Sequence, residues 1–222
     1  SEFATDVYGF PISKADKVER FVGKTCILGL GYGMGKVRFR ETLAIGQGGI
    51  SLDIDENEAD RIVRLYRTKN HKIVKLWEQS GHALLDMAAS QSGTIGNILE
   101  YDPEGIILPN GLRLLYPNLR ATTSGFEYDG RYGPVKIYSG KVAENFTQAL
   151  ARIVISDQML AIGQRYRPRL QVHDEIVVIV REEEADEAMA FIEQAMRVAP
   201  SWAPGLPVDC EIGVGPSYGE AK

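Results

Sequence analysis

Nine residues, Leu170-Gln171-Val172-His173-Asp174-Glu175-Ile176-Val177-Val178, place the tightest demand on the fold. Three titratable side chains stand in a row inside a run that is otherwise apolar and rich in β-branched residues, the composition of strands that pack on a core. Residues 170–173 and 176–180 are expected to form two such strands, joined tightly around Asp174. A carboxylate desolvated between them is costly unless a cation compensates. Two arrangements avoid that cost. One is a tight turn that carries the triplet into solvent, where Asp is common for conformational reasons. The other is a divalent cation such as Mg²⁺, which takes oxygen ligands and usually only one or two protein carboxylates beside substrate phosphates. His173 fits either arrangement, as a structural donor at a strand end or as part of a site.

The 222 residues suffice for a sizeable core, and 44% hydrophobic residues is ordinary for a globular protein. No apolar run approaches the ~20 residues of a membrane span, so no membrane partner is expected. No secretory signal is visible, and a cytoplasmic location is expected. Residues 1–3 read as a cloning scar and are set aside from the fold. Cys26 and Cys210 are too far apart to make a metal-ligand spacing. The net charge of −5 is unevenly spread. Lys14, Lys17, Arg20, Lys24, Lys36, Arg38 and Arg40 crowd one end, and Glu182, Glu183, Glu184, Asp186, Glu187 and Glu193 the other. A local basic face can hold phosphates while the acidic face stays in water.

Periodicity predicts a helix over residues 16–30, with Val18, Val22, Cys26 and Leu30 at four-residue steps, stopped by Gly29, Gly31, Gly33 and Gly35. Residues 46–53 read as a Gly-rich loop. Residues 56–90 read as helix, N-capped by Asp55 or Asn57 and broken near 68–71. Turn signals then separate short β-type runs, including 112–116 and 134–138. Helix returns over 141–162 and again over 183–198, and 208–214 reads as a last strand. The expected class is α+β: a mostly helical region over 4–100, then 101–222 with an antiparallel sheet backed by two helices.

Arg20, Lys24, Leu28 and Tyr32 are spaced by four and form one ridge of the first helix, drifting about 40° per step. Two cations at one end and an aromatic at the other suit a nucleoside triphosphate, each charge-assisted contact contributing about 1.5–3 kcal/mol. The bland alternative is a solvated helix face. A dinucleotide-binding turn over Gly29-x-Gly31-x-Gly33, with a strand at residues 25–28 and Asp53 downstream, fits poorly, because Met34 stands where a third glycine belongs and no βαβ unit follows.

Residues Leu170 to Glu175 resemble the carboxylate hairpin of the family A (DNA polymerase I-like) DNA polymerases. Arg20-x3-Lys24-x7-Tyr32-Gly33 resembles the fingers helix of that family, and Gly23 to Gly35 its bacteriophage branch. Gly140-Lys141-Val142-Ala143-Glu144-Asn145-Phe146-Thr147-Gln148 resembles the helix that reads the primer-template minor groove. Leu108 to Pro117 and Gly215-x-x-Tyr218-x-x-Ala221-Lys222 are also similar to phage-like members, so the resemblance runs from about Asp6 to Lys222.

The resemblance implies a fingers and palm portion of a template-directed polymerase acting on primer-template DNA and dNTP. Asp174 would bind catalytic Mg²⁺, with Glu175 supporting it and Lys24 and Arg20 on the triphosphate. Leu28, Tyr32 and Gly33 would border the nucleotide. His173, Gln148, Asn145 and Lys141 would face DNA. Two departures stand out: Leu28 replaces an aromatic residue of many cellular members, and Glu144 replaces an Asn four residues before Gln148. Tyr218 and Trp202 read as packing residues.

Two-metal chemistry needs a second carboxylate strand, and no Asp-x-Ser-x-x-Glu-like stretch is present. The expectation is half of a nucleotidyl-transfer site, inactive alone, completed by an N-terminal part or a partner chain. The alternatives are a non-catalytic nucleotide- or nucleic-acid-binding half of a split polymerase, and an NAD-dependent oxidoreductase.

Overall fold

The computed structural model describes residues 2–221. Ser1, part of the segment set aside as a scar, and Lys222, the end of the resemblance, lie outside the described residues. Two compact units divide the chain, Ser1–Ile107 with Arg113–Phe146, and Leu108–Leu112 with Thr147–Lys222.

In the first unit, five α-helices precede the β structure: α1 (Glu2–Tyr8), α2 (Lys17–Thr25), α3 (Lys36–Ile45), α4 (Glu56–Lys69) and α5 (His71–Ala88). Helix α2 continues into a π-helical segment over Cys26–Leu30. Val22, Cys26 and Leu30 bury the expected stripe, whereas Val18 remains exposed. They meet Phe39 and Leu43 of α3 and Ile62 and Tyr66 of α4 in one core. Phe3 belongs to that core too, edge-on to Tyr66 at 5.2 Å between ring centroids. Phe3, expected to lie outside the fold, is therefore a packing residue. Asp55 caps α4, accepting from the Glu58 backbone N–H at 2.7 Å. Asn70 makes the break between α4 and α5, its side-chain amide donating to the Tyr66 carbonyl at 3.0 Å.

The β structure of this unit forms two antiparallel sheets: β1 (Gly93–Ile95), β2 (Leu99–Asp102), β3 (Gly105–Ile107) and β4 (Arg113–Leu115), then β5 (Arg120–Thr122), β6 (Gly125–Gly130) and β7 (Gly133–Ile137). Each joins sequence neighbours, as short runs between turns require. The strand that a dinucleotide fold needs at residues 25–28 is helical instead, and no parallel pairing occurs among the described strands.

Helix α6 (Ser139–Gly163) passes into the second unit, followed by β8 (Pro168–Val172), β9 (Glu175–Val178), a 3₁₀ turn over Glu182–Glu184 and α7 (Ala185–Met196). The side-chain amide of Gln158 donates to the Met196 carbonyl at 2.6 Å and ties α6 to the end of α7. Strands β8 and β9 make a two-stranded sheet, with Val172 opposite Glu175. None of their residues is fully buried, and Ile179, expected to lie within β9, follows its end with 74% of its surface exposed. The sheet is thus smaller and wetter than its composition predicts.

Residues 208–214 form no strand, against expectation. Their exposure alternates, but no neighbouring strand supplies a hydrogen-bond ladder. The chain turns back on itself instead: a Cβ on Gly213 would lie 1.7 Å from the Ala221 carbonyl oxygen. Backbone N–H groups of Glu220 and Ala221 both donate to the Ser217 carbonyl and close that turn.

Candidate functional site

Arg20, Lys24 and Leu28 lie exposed on the face of α2 and its π extension that faces away from the core. In an α-helix each four-residue step overshoots one turn by about 40°. The wider π turn, closing i to i+5, offsets that drift across Cys26–Leu30. Three of the first unit's other N-terminal cations are engaged: Lys36 with Glu56 at 2.7 Å, Arg38 with Glu41 at 3.3 Å and Arg40 with Asp53 at 3.7 Å. Arg20 and Lys24 have no carboxylate partner among the described residues, so their charge is available to an anion. Cys26, two residues after Lys24, is buried, and that burial pushes its thiol up to about 12, which keeps it protonated and inert.

Beyond the π segment the chain turns sharply at Tyr32 and Gly33. Gly33 has φ +83, a left-handed conformation that favours glycine. Trp77 of α5 donates its indole N–H to the Gly31 carbonyl at 3.1 Å and fixes the end of the helix. The start of α6 closes on the same turn: a Cβ on Gly140 would stand 2.2 Å from the Tyr32 carbonyl oxygen. The two glycines let backbone meet backbone, and Tyr32 is half-buried there.

The first turns of α6 sort the expected DNA-facing residues. Lys141 pairs with Glu144 at 2.9 Å, which neutralises the carboxylate that a phosphate would repel. Asn145 donates its side-chain N–H to the Tyr116 hydroxyl at 3.2 Å, and Tyr116 is buried edge-on to Tyr128. Asn145 therefore braces the first unit's β structure. Gln148, in the second unit, is exposed, and its side chain makes no hydrogen bond among the described residues.

The acidic turn is in the second unit. His173 and Asp174 are both exposed at its tip, so solvent relieves the desolvation that made the triplet costly in the sequence. His173 holds φ 52, where a side chain costs roughly 1–2 kcal/mol. Side chains brace this strained backbone. Gln171 donates to the His173 carbonyl at 2.6 Å and in turn accepts from Arg152 of α6. Glu175 accepts from the Tyr218 hydroxyl at 2.5 Å. Tyr218 was expected only to pack; the signal that it reaches this turn lies in loop closure at Gly213 and Ser217, which local composition does not encode.

No group of three His, Cys, Asp or Glu among the described residues encloses a metal ion. Asp174 makes no hydrogen bond or ion pair among them, leaving both carboxylate oxygens open. That donor set fits one side of a Mg²⁺ site, where one or two carboxylates commonly suffice beside phosphate oxygens.

The first unit thus carries an exposed basic ridge and the second an acidic turn with an open carboxylate. No family model matches the chain. A DNA polymerase of Bacillus phage SP02 is 29% identical over 230 residues, covering 94% of this chain and 34% of the phage protein. A thermostable DNA polymerase I of Thermus filiformis is 26% identical over 228 residues, covering all of this chain and 23% of that protein. The POL domain of Pol1 from M. smegmatis, solved in complex with DNA primer-template and dNTP, shares the fold. Its TM-score is 0.64 at 19% identity, over 99% of this chain and 34% of that one. Over nearly its whole length the chain is similar to family A DNA polymerases, and it spans about a third or less of these relatives.

Proposed function

We propose that the chain is the fingers and palm portion of a template-directed DNA polymerase, supplying one side of the site that transfers a nucleotide from dNTP to a primer 3′-hydroxyl. The observation that carries this reading is the exposed Arg20–Lys24 ridge, whose cations have no carboxylate partner among the described residues and which ends at the braced Tyr32–Gly33 turn. Arg20 and Lys24 bind the triphosphate, with Lys24 the nearer candidate for catalysis, and Leu28, Tyr32 and Gly33 border the base and sugar. Asp174 would hold Mg²⁺, which when bound neutralises charge on the transferred phosphoryl group. Glu175 supports Asp174, and His173 sits at the primer end. Of the α6 residues, Gln148 has the free amide suited to a minor-groove contact, while Lys141 and Asn145 act through the shape of the helix.

A second reading is favoured by the single open carboxylate at the turn: the chain binds dNTP or primer-template without turnover until another segment adds the second acidic residue. Primer extension by the 222-residue chain tests both. Extension that is lost in Asp174→Ala would sink the claim of an incomplete site. Undiminished extension by a longer parent protein carrying Asp174→Ala would sink the metal assignment. The expected result is dNTP binding without extension by this chain, and extension that depends on Asp174 in the parent.

A further inference from the structure

We propose that Tyr218 is a positioning residue for the acidic turn, holding Glu175 so that Asp174 stays aimed outward toward a divalent cation. The proposal rests on the polymerase reading above for the identity of the ligand, and on separate geometry for the role of Tyr218.

The turn has two residues, with His173 in a left-handed conformation that a hairpin normally gives to Gly. Such a turn needs restraint on both sides, because the strands that carry it form a two-stranded sheet with no fully buried residue. The β8 side is restrained by the relay from Arg152 through Gln171 to the His173 carbonyl. The β9 side is reached by Tyr218, whose hydroxyl donates to Glu175 Oε2 at 2.5 Å.

Glu175 is next to Asp174 and opens β9, so fixing its carboxylate limits rotation of the peptide that carries Asp174. The hydrogen bond also occupies one Glu175 oxygen, which favours Asp174 as the first oxygen ligand. The loop that carries Tyr218 is closed on itself, with Ser217 Oγ donating to Glu220 at 2.6 Å, and so presents the phenol from a defined position.

The test follows paramagnetic broadening of the His173, Asp174 and Glu175 amide signals as Mn²⁺ is added to the 222-residue chain. Broadening is expected in the natural sequence and absent in Asp174→Ala. Tyr218→Phe, which keeps the ring and loses the donor, should need about tenfold more Mn²⁺ for half-broadening, the scale of a charge-assisted hydrogen bond. Glu175→Ala should give a similar shift from the other partner. The double variant should shift no further than either single one. This non-additivity separates positioning through Glu175 from general loosening, and it also decides the matter if Tyr218→Phe lowers stability. Unchanged midpoints in Tyr218→Phe and Glu175→Ala, with binding still abolished in Asp174→Ala, would overturn the role of Tyr218 alone. Broadening that survives Asp174→Ala would overturn the metal reading and this proposal with it.

Discussion

The basic ridge and the acidic turn are both short motifs, yet the molecule supports them by different means. The ridge is one face of a helix whose opposite face, Val22, Cys26 and Leu30, is fully buried. Its end is locked by Trp77 and by the meeting of Gly33 with Gly140. The turn rides on two half-exposed strands and is held by three side-chain hydrogen bonds, from Arg152, Gln171 and Tyr218. The ridge therefore inherits its geometry from a core, and the turn inherits its geometry from polar contacts that solvent can compete for. A packed core resists change in volume, while a polar brace responds to loss of a single donor.

Core substitutions should break this contrast most sharply. Leu30→Ala is expected to lower the unfolding free energy of the first unit by about 3 kcal/mol, whereas Val177→Ala in β9 should cost about 1 kcal/mol or less. Trp77 and Trp202 fall in different units, so urea unfolding of a Trp202→Phe variant reads the first unit for Leu30→Ala, and that of a Trp77→Phe variant reads the second for Val177→Ala. Equal losses at the two positions would mean that the turn has a core after all. Gly140→Ala should cost about 1–3 kcal/mol through overlap with the Tyr32 carbonyl, and would disturb the ridge without touching its cations.

Lys24→Ala and Arg20→Ala should each weaken dNTP binding about tenfold, with no change in unfolding midpoint, since neither side chain has a partner to lose. Calorimetric titration reads the first quantity and thermal unfolding the second. A loss of stability in either variant would place these cations in the scaffold.

The smallest effect concerns pH. Burial, reinforced by a hydrogen bond to Asp86 at 2.5 Å, pushes the Tyr101 phenol up to about 12 from its ordinary 10.0. The folded state then keeps a proton that the unfolded chain releases. The resulting stabilisation is complete below pH 10 and fades as pH rises through about 12. Tyr101→Phe should flatten the fall in first-unit stability across that window, and an unchanged slope would assign the fall to other groups.

The same contrast explains what was legible in the sequence. Elements with a one-sided apolar period were plain: α2, the pair α4 and α5 with its break at Asn70, and α6. The hairpin was plain from its β-branched flanks. Helix α3 was not, because it buries only Phe39 and Leu43 while Val37 and Ile45 remain exposed, which blurs its period. Helix α1 has only seven residues, with Phe3, Ala4 and Val7 buried, too few to show a period. Residues 208–214 alternate like a strand, but alternation does not provide a partner, and the loop closed by Gly213 takes its place.

At the candidate site, residue types and spacing single out Arg20, Lys24, Tyr32 and Asp174 as candidates. They did not reveal that Lys141 neutralises Glu144, that Asn145 serves Tyr116, or that Tyr218 reaches Glu175. Those facts depend on side chains meeting across 3, 29 and 43 positions of sequence. The first was within reach of helical spacing, and the other two required the fold.

The π segment gives the ridge a second kind of address. Such a segment is a helix holding one residue more than its turns accommodate. Between Lys24 and Tyr32 the motif is counted in residues but set in angle. Deleting one residue from Cys26–Leu30 would relax the stretch to plain α-helix and leave Tyr32 facing nearly as before, whereas winding all of its residues as α-helix would carry Tyr32 about 100° around the axis. A relative with the same letters at the same spacing on an unbroken α-helix presents a different surface.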